Sequence, residues 1–136
     1  MKKIYIDIDG VILTKHNTRI ADNSIDFMTF ITKNFDCYWL TTHCRDGQTR
    51  NLIRMLSLYF PENIIEIIKQ VKPTKWDALK TEAIDFKSDF LWVDDYVFES
   101  EKTILIHHNC LDRLILVDLE KDGNLLVTLN ILKQAM

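Results

Sequence analysis

The sequence has no long apolar run, no basic tract and no paired cysteines, and each absence closes off a class of protein. No segment approaches the roughly 18 to 20 apolar residues that a membrane-spanning helix needs. The N-terminal apolar run, "KKIYIDIDGVIL", is short, carries aspartates and lacks a small-residue cleavage site, so it does not read as a secretory signal. Lys and Arg number 17 against 20 Asp and Glu, a formal charge of −3 with the signs interspersed. That balance argues against capture of a nucleic-acid backbone. Cys37, Cys44 and Cys110 are odd in number and none sits in a CxxC pair. A disulfide framework and a thiolate zinc site are therefore not expected, and a reducing, cytoplasmic setting is. Internal repeats, low-complexity tracts and linkers are also missing. What remains is 136 residues, 47% hydrophobic, enough for one core and one domain over residues 1–136, with one active site at most.

Apolar periodicity organises the chain into alternating strands and helices. Lys3 to Asp9 reads as a strand covered on both faces, because its apolar residues do not alternate with polar ones. After the polar stretch "TKHNTRIADN", Asp22 or Asn23 is placed to cap a helix running to about Asn34. "FDCYWLTT" reads as a second buried strand and "HCRDGQ" as a loop. Leu52, Met55, Leu56 and Tyr59 mark a helix stopped by Pro61. "NIIEIIKQV" is assigned to a strand. Thr74, with Asp77 three residues on, suggests a capped helix with Trp76, Leu79, Ala83 and Phe86 on its buried stripe and Lys75 in its first turn. "DFLWVDDY" and "RLILVD" read as strands, Phe98 to Asn109 as a helix between them, and Leu125 to Lys133 as a final helix. This pattern predicts an α/β fold: a three-layer Rossmann-like domain with a mostly parallel sheet.

Three of these strands end in polar side chains: Asp7 and Asp9, Thr41 and Thr42, Asp94 and Asp95. In parallel α/β sheets the working crevice lies beyond the carboxyl ends of the strands. If the three strands are neighbours, their acids converge. Two carboxylates about 4 Å apart repel by roughly 4 kcal/mol at an effective dielectric near 20, so such a cluster needs raised pKa values or a cation. An all-oxygen donor set favours Mg²⁺ over zinc. A lone DxD or DD is common in turns; the joint occurrence, in order and at one sheet edge, is what points to chemistry. His107 and His108 do not read as a metal pair, because adjacent side chains point apart. Trp39, Trp76 and Trp92 read as core residues.

"DIDGV", "CYWLTT", Lys75 ahead of a strand, and "WVDD" resemble the four successive motifs of the haloacid dehalogenase superfamily, most of whose members are Mg²⁺-dependent phosphohydrolases. The resemblance spans Ile4 to Asp95. It implies that Asp7 is the nucleophile, forming an aspartyl-phosphate. It makes Asp9 the general acid and base, with its backbone carbonyl on the metal. Thr41 would donate to a phosphoryl oxygen and Lys75 would neutralise the transferred group. Asp7, Asp9, Asp94 and Asp95 would surround the Mg²⁺, Asp95 through water or by orienting Lys75. Gly10, in the family's tight turn before a hairpin flap, together with Thr42, His43 and Arg45, is a candidate to touch substrate. The intervals between motifs are too short for the family's inserted cap domain. An uncapped site admits a phosphomonoester of any bulk, macromolecules included. Two other classes fit parts of the pattern: a receiver-like phosphoryl switch, whose acceptor Asp follows a different strand, and a domain that binds phosphate without turnover.

Overall fold

The computed structural model describes all 136 residues, and its centre is a four-stranded, all-parallel sheet. The strands are β1 (Lys3–Ile6), β2 (Asp36–Trp39), β3 (Phe90–Asp94) and β4 (Leu114–Leu116), in the order β2-β1-β3-β4. β1 therefore lies between β2 and β3, and the chain departs in opposite directions from it. That is the topological switch point at which α/β sheets open a crevice. Ile6 stands opposite Val93 across one ladder and opposite Trp39 across the other. The next residues along, Asp7, Asp94 and Leu40, consequently stand side by side at the carboxyl edge of the sheet, Asp94 still paired with Leu116 of β4.

Alternation of side chains along the strands builds a layer on each face. Ile4, Ile6, Cys37, Trp39, Leu91, Val93 and Ile115 turn to one face, where they form a 28-residue apolar cluster. Phe27, Met28 and Ile31 of α1 (Ser24–Asn34) pack into this cluster, as do Leu52 and Leu56 of α2 (Arg50–Leu56). Ile64, Ile65 and Ile68 of α3 (Glu62–Ile68) and Leu129 and Leu132 of α6 (Leu126–Gln134) complete it. Tyr5, Phe90 and Trp92 turn to the other face and meet Leu105 of α4 (Glu99–His107) in an eight-residue cluster. A short α5 (Leu119–Asp122) precedes α6. The three-layer α/β fold expected from the sequence is thus present, no inserted domain interrupts it, and no helix is long and apolar enough to cross a membrane.

Three local expectations are corrected. "NIIEIIKQV" is not a strand; Glu62–Ile68 is helical. Its buried residues recur at i, i+1 and i+4, one helical face, and β-branched composition does not override that pattern. Strand-like pairing survives just beyond it, where Lys72 bridges Tyr38 on the outer edge of β2. The helix expected from Thr74 does not form. The Thr74 hydroxyl instead donates to the Trp39 carbonyl at 2.6 Å, and only a short 3₁₀ turn, Lys80–Ala83, follows. Asn23 does occupy the N-cap position of α1, but in the left-handed region with φ 70°, and its side chain makes no capping bond.

Candidate active site

Beyond the ends of β1 and β3 the carboxylates of Asp7, Asp94 and Asp95 each present an oxygen within 4.8 Å of the others. Asp7 is buried, with one oxygen accepting the Ile8 N–H at 2.7 Å. Asp94 is 1% exposed: one oxygen accepts the backbone N–H groups of Asp95 (2.8 Å) and Tyr96 (3.3 Å), the other the Trp92 indole N–H at 3.2 Å. Gly10 makes room for Asp95. Its φ is +82°, and a Cβ there would stand 2.3 Å from an Asp95 carboxylate oxygen, so the turn tolerates only glycine.

The cation among these acids is Lys80, not Lys75. Its Nζ lies 2.7 Å from Asp94 and 3.1 Å from Asp7, and its side chain is 13% exposed. Burial would lower the Lys80 pKa, but the two carboxylates outweigh it and hold the ammonium above its ordinary value. Burial, reinforced by Asp7, pushes the Asp94 carboxyl up to about 8. One ammonium neutralises one carboxylate, and the second negative charge is left to a proton or a cation. Two glutamates that the sequence did not flag hold Lys80 in place. Buried Glu101 accepts the Lys80 N–H at 2.8 Å and the Phe98 N–H at 2.9 Å. Glu82 gathers the N–H groups of Asp77, Ala78 and Leu79, and the bonds from Leu79 and Asp77 lower its pKa. The sequence signal for Glu101 was its place three residues into the helix after Phe98, an N3 position suited to such a bond. Lys75 is exposed, opposite Asp46 in an isolated bridge.

The segment after Gly10 folds back as the expected flap. Thr14 N–H donates to Arg19 (2.9 Å), Ala21 N–H to Ile12 (2.9 Å), and Leu13 bridges Ile20. From it Lys15 reaches the Asp95 carboxylate at 2.7 Å, a bond that raises the Lys15 pKa. Asp95 is therefore partnered by Lys15, and not by Lys75 as expected. Thr42 lines the cleft, whereas Thr41, which the resemblance put against the phosphate, is fully buried and accepts the His43 N–H at 3.3 Å. Asp9 meets His43 Nε2 at 2.8 Å. Arg45 is committed elsewhere: its guanidinium donates to the Asp77 carbonyl and stacks 4.7 Å from the Trp76 ring centroid. Cys44 is buried and its thiol pKa raised by that burial, the opposite of an activated nucleophile.

The cleft holding Asp7, Lys80 and Asp94 has a volume of about 190 Å³, and a larger hollow of about 610 Å³ opens beyond the Lys15–Asp95 pair. The donor set suits a hard divalent cation: three carboxylates, no nitrogen or sulfur, and one negative charge in excess of Lys15 and Lys80. Those two ammonium groups already contact carboxylate oxygens of this set, so an ion would have to displace one of them. No family model, curated protein or solved structure matches the chain.

Proposed function

We propose that the chain is a Mg²⁺-dependent phosphomonoesterase that works through an aspartyl-phosphate on Asp7. The observation that carries this reading is the Lys80 ammonium between Asp7 and Asp94, with Asp95 beside them at the switch point of the sheet. A nucleophilic carboxylate, a fixed positive charge and further acidic oxygens are what transfer of a phosphoryl group to an aspartate requires. The order of motifs shared with the haloacid dehalogenase superfamily supports the same assignment.

A carboxylate oxygen of Asp7 attacks phosphorus and the ester P–O bond breaks. Asp9 gives its proton to the departing alcohol oxygen, then takes one from the water that attacks the acyl phosphate, releasing phosphate and restoring Asp7. His43 holds the Asp9 carboxylate in place for both transfers. Lys80 compensates charge on Asp7 and on the phosphoryl oxygens, a preorganised contribution that needs no rearrangement during reaction. Thr42 supplies a hydroxyl donor from the cleft wall. Asp7, Asp94 and Asp95 would hold the metal, which when bound supplies further positive charge to the phosphoryl oxygens. Hydrolysis of an aryl phosphate, measured with Mg²⁺ and with a chelator for the wild type and Asp7→Asn, tests the proposal. Turnover that needs Mg²⁺ and is lost in Asp7→Asn is expected; a variant as active as the wild type rejects it.

A further inference from the structure

Tyr96 and Phe98 follow the acidic pair on the loop after β3, and both line the cleft that contains Asp7, Lys80 and Asp94. They are 56% and 55% exposed and stand edge to face, ring centroids 5.8 Å apart at 79°. A single exposed aromatic is ordinary, but two neighbours standing nearly perpendicular at the mouth of a charged cleft form an apolar corner beside the reacting group, one ring offering a face and the other an edge. Their backbone is tied to the chemistry. The Tyr96 N–H donates to Asp94, and the Phe98 N–H to the same Glu101 carboxylate that holds Lys80. Whatever lies on these rings is thereby positioned relative to the phosphoryl site.

We infer that the substrate's leaving group carries a flat aromatic ring, which lies face-on against one ring of the Tyr96–Phe98 pair and edge-on to the other while the phosphoryl group sits between Asp7 and Lys80. This rests on the phosphomonoesterase reading. At about 190 Å³ the cleft is smaller than the roughly 300–1,000 Å³ of pockets that enclose a whole ligand. It takes the phosphoryl group and leaves the rest of the ester against the open rim. A sugar would draw on several hydrogen-bond partners, yet Asp7, Asp94, Asp95 and Glu101 already receive lysines or backbone N–H groups, and the unpaired hydroxyls of the lining, on Thr42 and Tyr96, are few. An alkyl chain would need a long apolar groove, and charged groups make up most of the remaining wall. A planar ring needs neither.

The test compares phenyl phosphate and adenosine 5′-monophosphate with glycerol phosphate on the wild type and on Tyr96→Ala/Phe98→Ala. Each ester is referred to itself across variants, so differences in leaving-group acidity cancel. The ratio of kcat/KM for either aromatic ester to that for glycerol phosphate should fall roughly tenfold to a hundredfold in the double variant. Tyr96→Phe should keep most of the wild-type ratio. A fall for both aromatic esters assigns ring stacking in general, and a fall for one alone assigns that ring type. An unchanged ratio overturns the inference. Calorimetric binding of adenosine 5′-monophosphate and glycerol phosphate to Asp7→Asn keeps this question apart from turnover. If no ester is hydrolysed, the phosphatase reading fails. If the nucleotide also binds no tighter than glycerol phosphate, ring stacking fails with it.

Discussion

Removing the Lys80 ammonium would leave Asp7 and Asp94 facing each other in a buried site with no protein cation between them. Lys80→Ala is expected to cost about 3–5 kcal/mol of stability, the range for breaking one side of a buried ion pair, and about a hundredfold or more in phosphate-ester hydrolysis. Lys75→Ala, at an exposed position, should shift stability by no more than about 0.5 kcal/mol. Urea unfolding and steady-state kinetics on both variants decide between the lysines, and equal losses would return the role to Lys75. In "PTKWDALK" the sequence points to Lys75, in the first turn of a helix expected to begin at Thr74, and gives no sign of Lys80. Once the Thr74 hydroxyl is seen bonding the Trp39 carbonyl, Lys75 loses its helical anchor. Gly10 was legible as a turn residue, but its close approach to Asp95 was not, since that contact joins β1 to the far end of β3. Gly10→Ala places a methyl group on that carboxylate at positive φ. It should depress hydrolysis and stability together, by about 1–3 kcal/mol in unfolding experiments.

At the scale of elements, strands were legible and the segments between them less so. β1 and β3 lie inside the sheet and are covered on both faces, β2 and β4 lie at its edges and are covered in part, and a run of apolar residues identified each; the shared carboxyl edge of β1 and β3 brought Asp7 and Asp94 together as expected. α3 was misread because isoleucine is as apt for a strand as for a buried helix face, and only its packing against α1 separates the two. Ile68, fully buried on that face, should cost about 2–5 kcal/mol as Ile68→Ala, and exposed Glu66→Ala far less. A strand would put positions 66 and 68 on one face and equalise the losses. The flap raises a different question, because its Lys15 holds an Asp95 oxygen that a divalent ion would contact. Lys15→Ala should therefore bind Mg²⁺ several-fold more tightly in calorimetric titration. Unchanged or weaker binding would mean that Asp95 takes no part in holding the ion.

The charge arrangement of the whole molecule gives its stability an unusual pH profile in the absence of divalent ions. Asp36, Asp85 and Asp89 have lowered pKa values, held down first by hydrogen bonds from Lys72, Lys3 and Arg113 respectively. A lowered carboxyl contributes stability above its unfolded value near 4, and that contribution is lost as acid protonates the folded form. Asp94 works in the opposite sense. Its carboxyl, pushed up to about 8 by burial and by Asp7, keeps its proton in the folded state at pH values where the unfolded chain has released it. Between about pH 4 and pH 8 the native state thus binds the extra proton, and unfolding free energy falls as pH rises. In a chelator-containing buffer, urea midpoints should be higher at pH 5 than at pH 8, and Asp94→Asn, which has no proton to lose, should flatten that slope. A variant with the wild-type slope would place the titrating group elsewhere. The same imbalance links fold to proposed function: a sheet that gathers three acids at one edge is most stable in neutral solution when something positive joins Lys80 there.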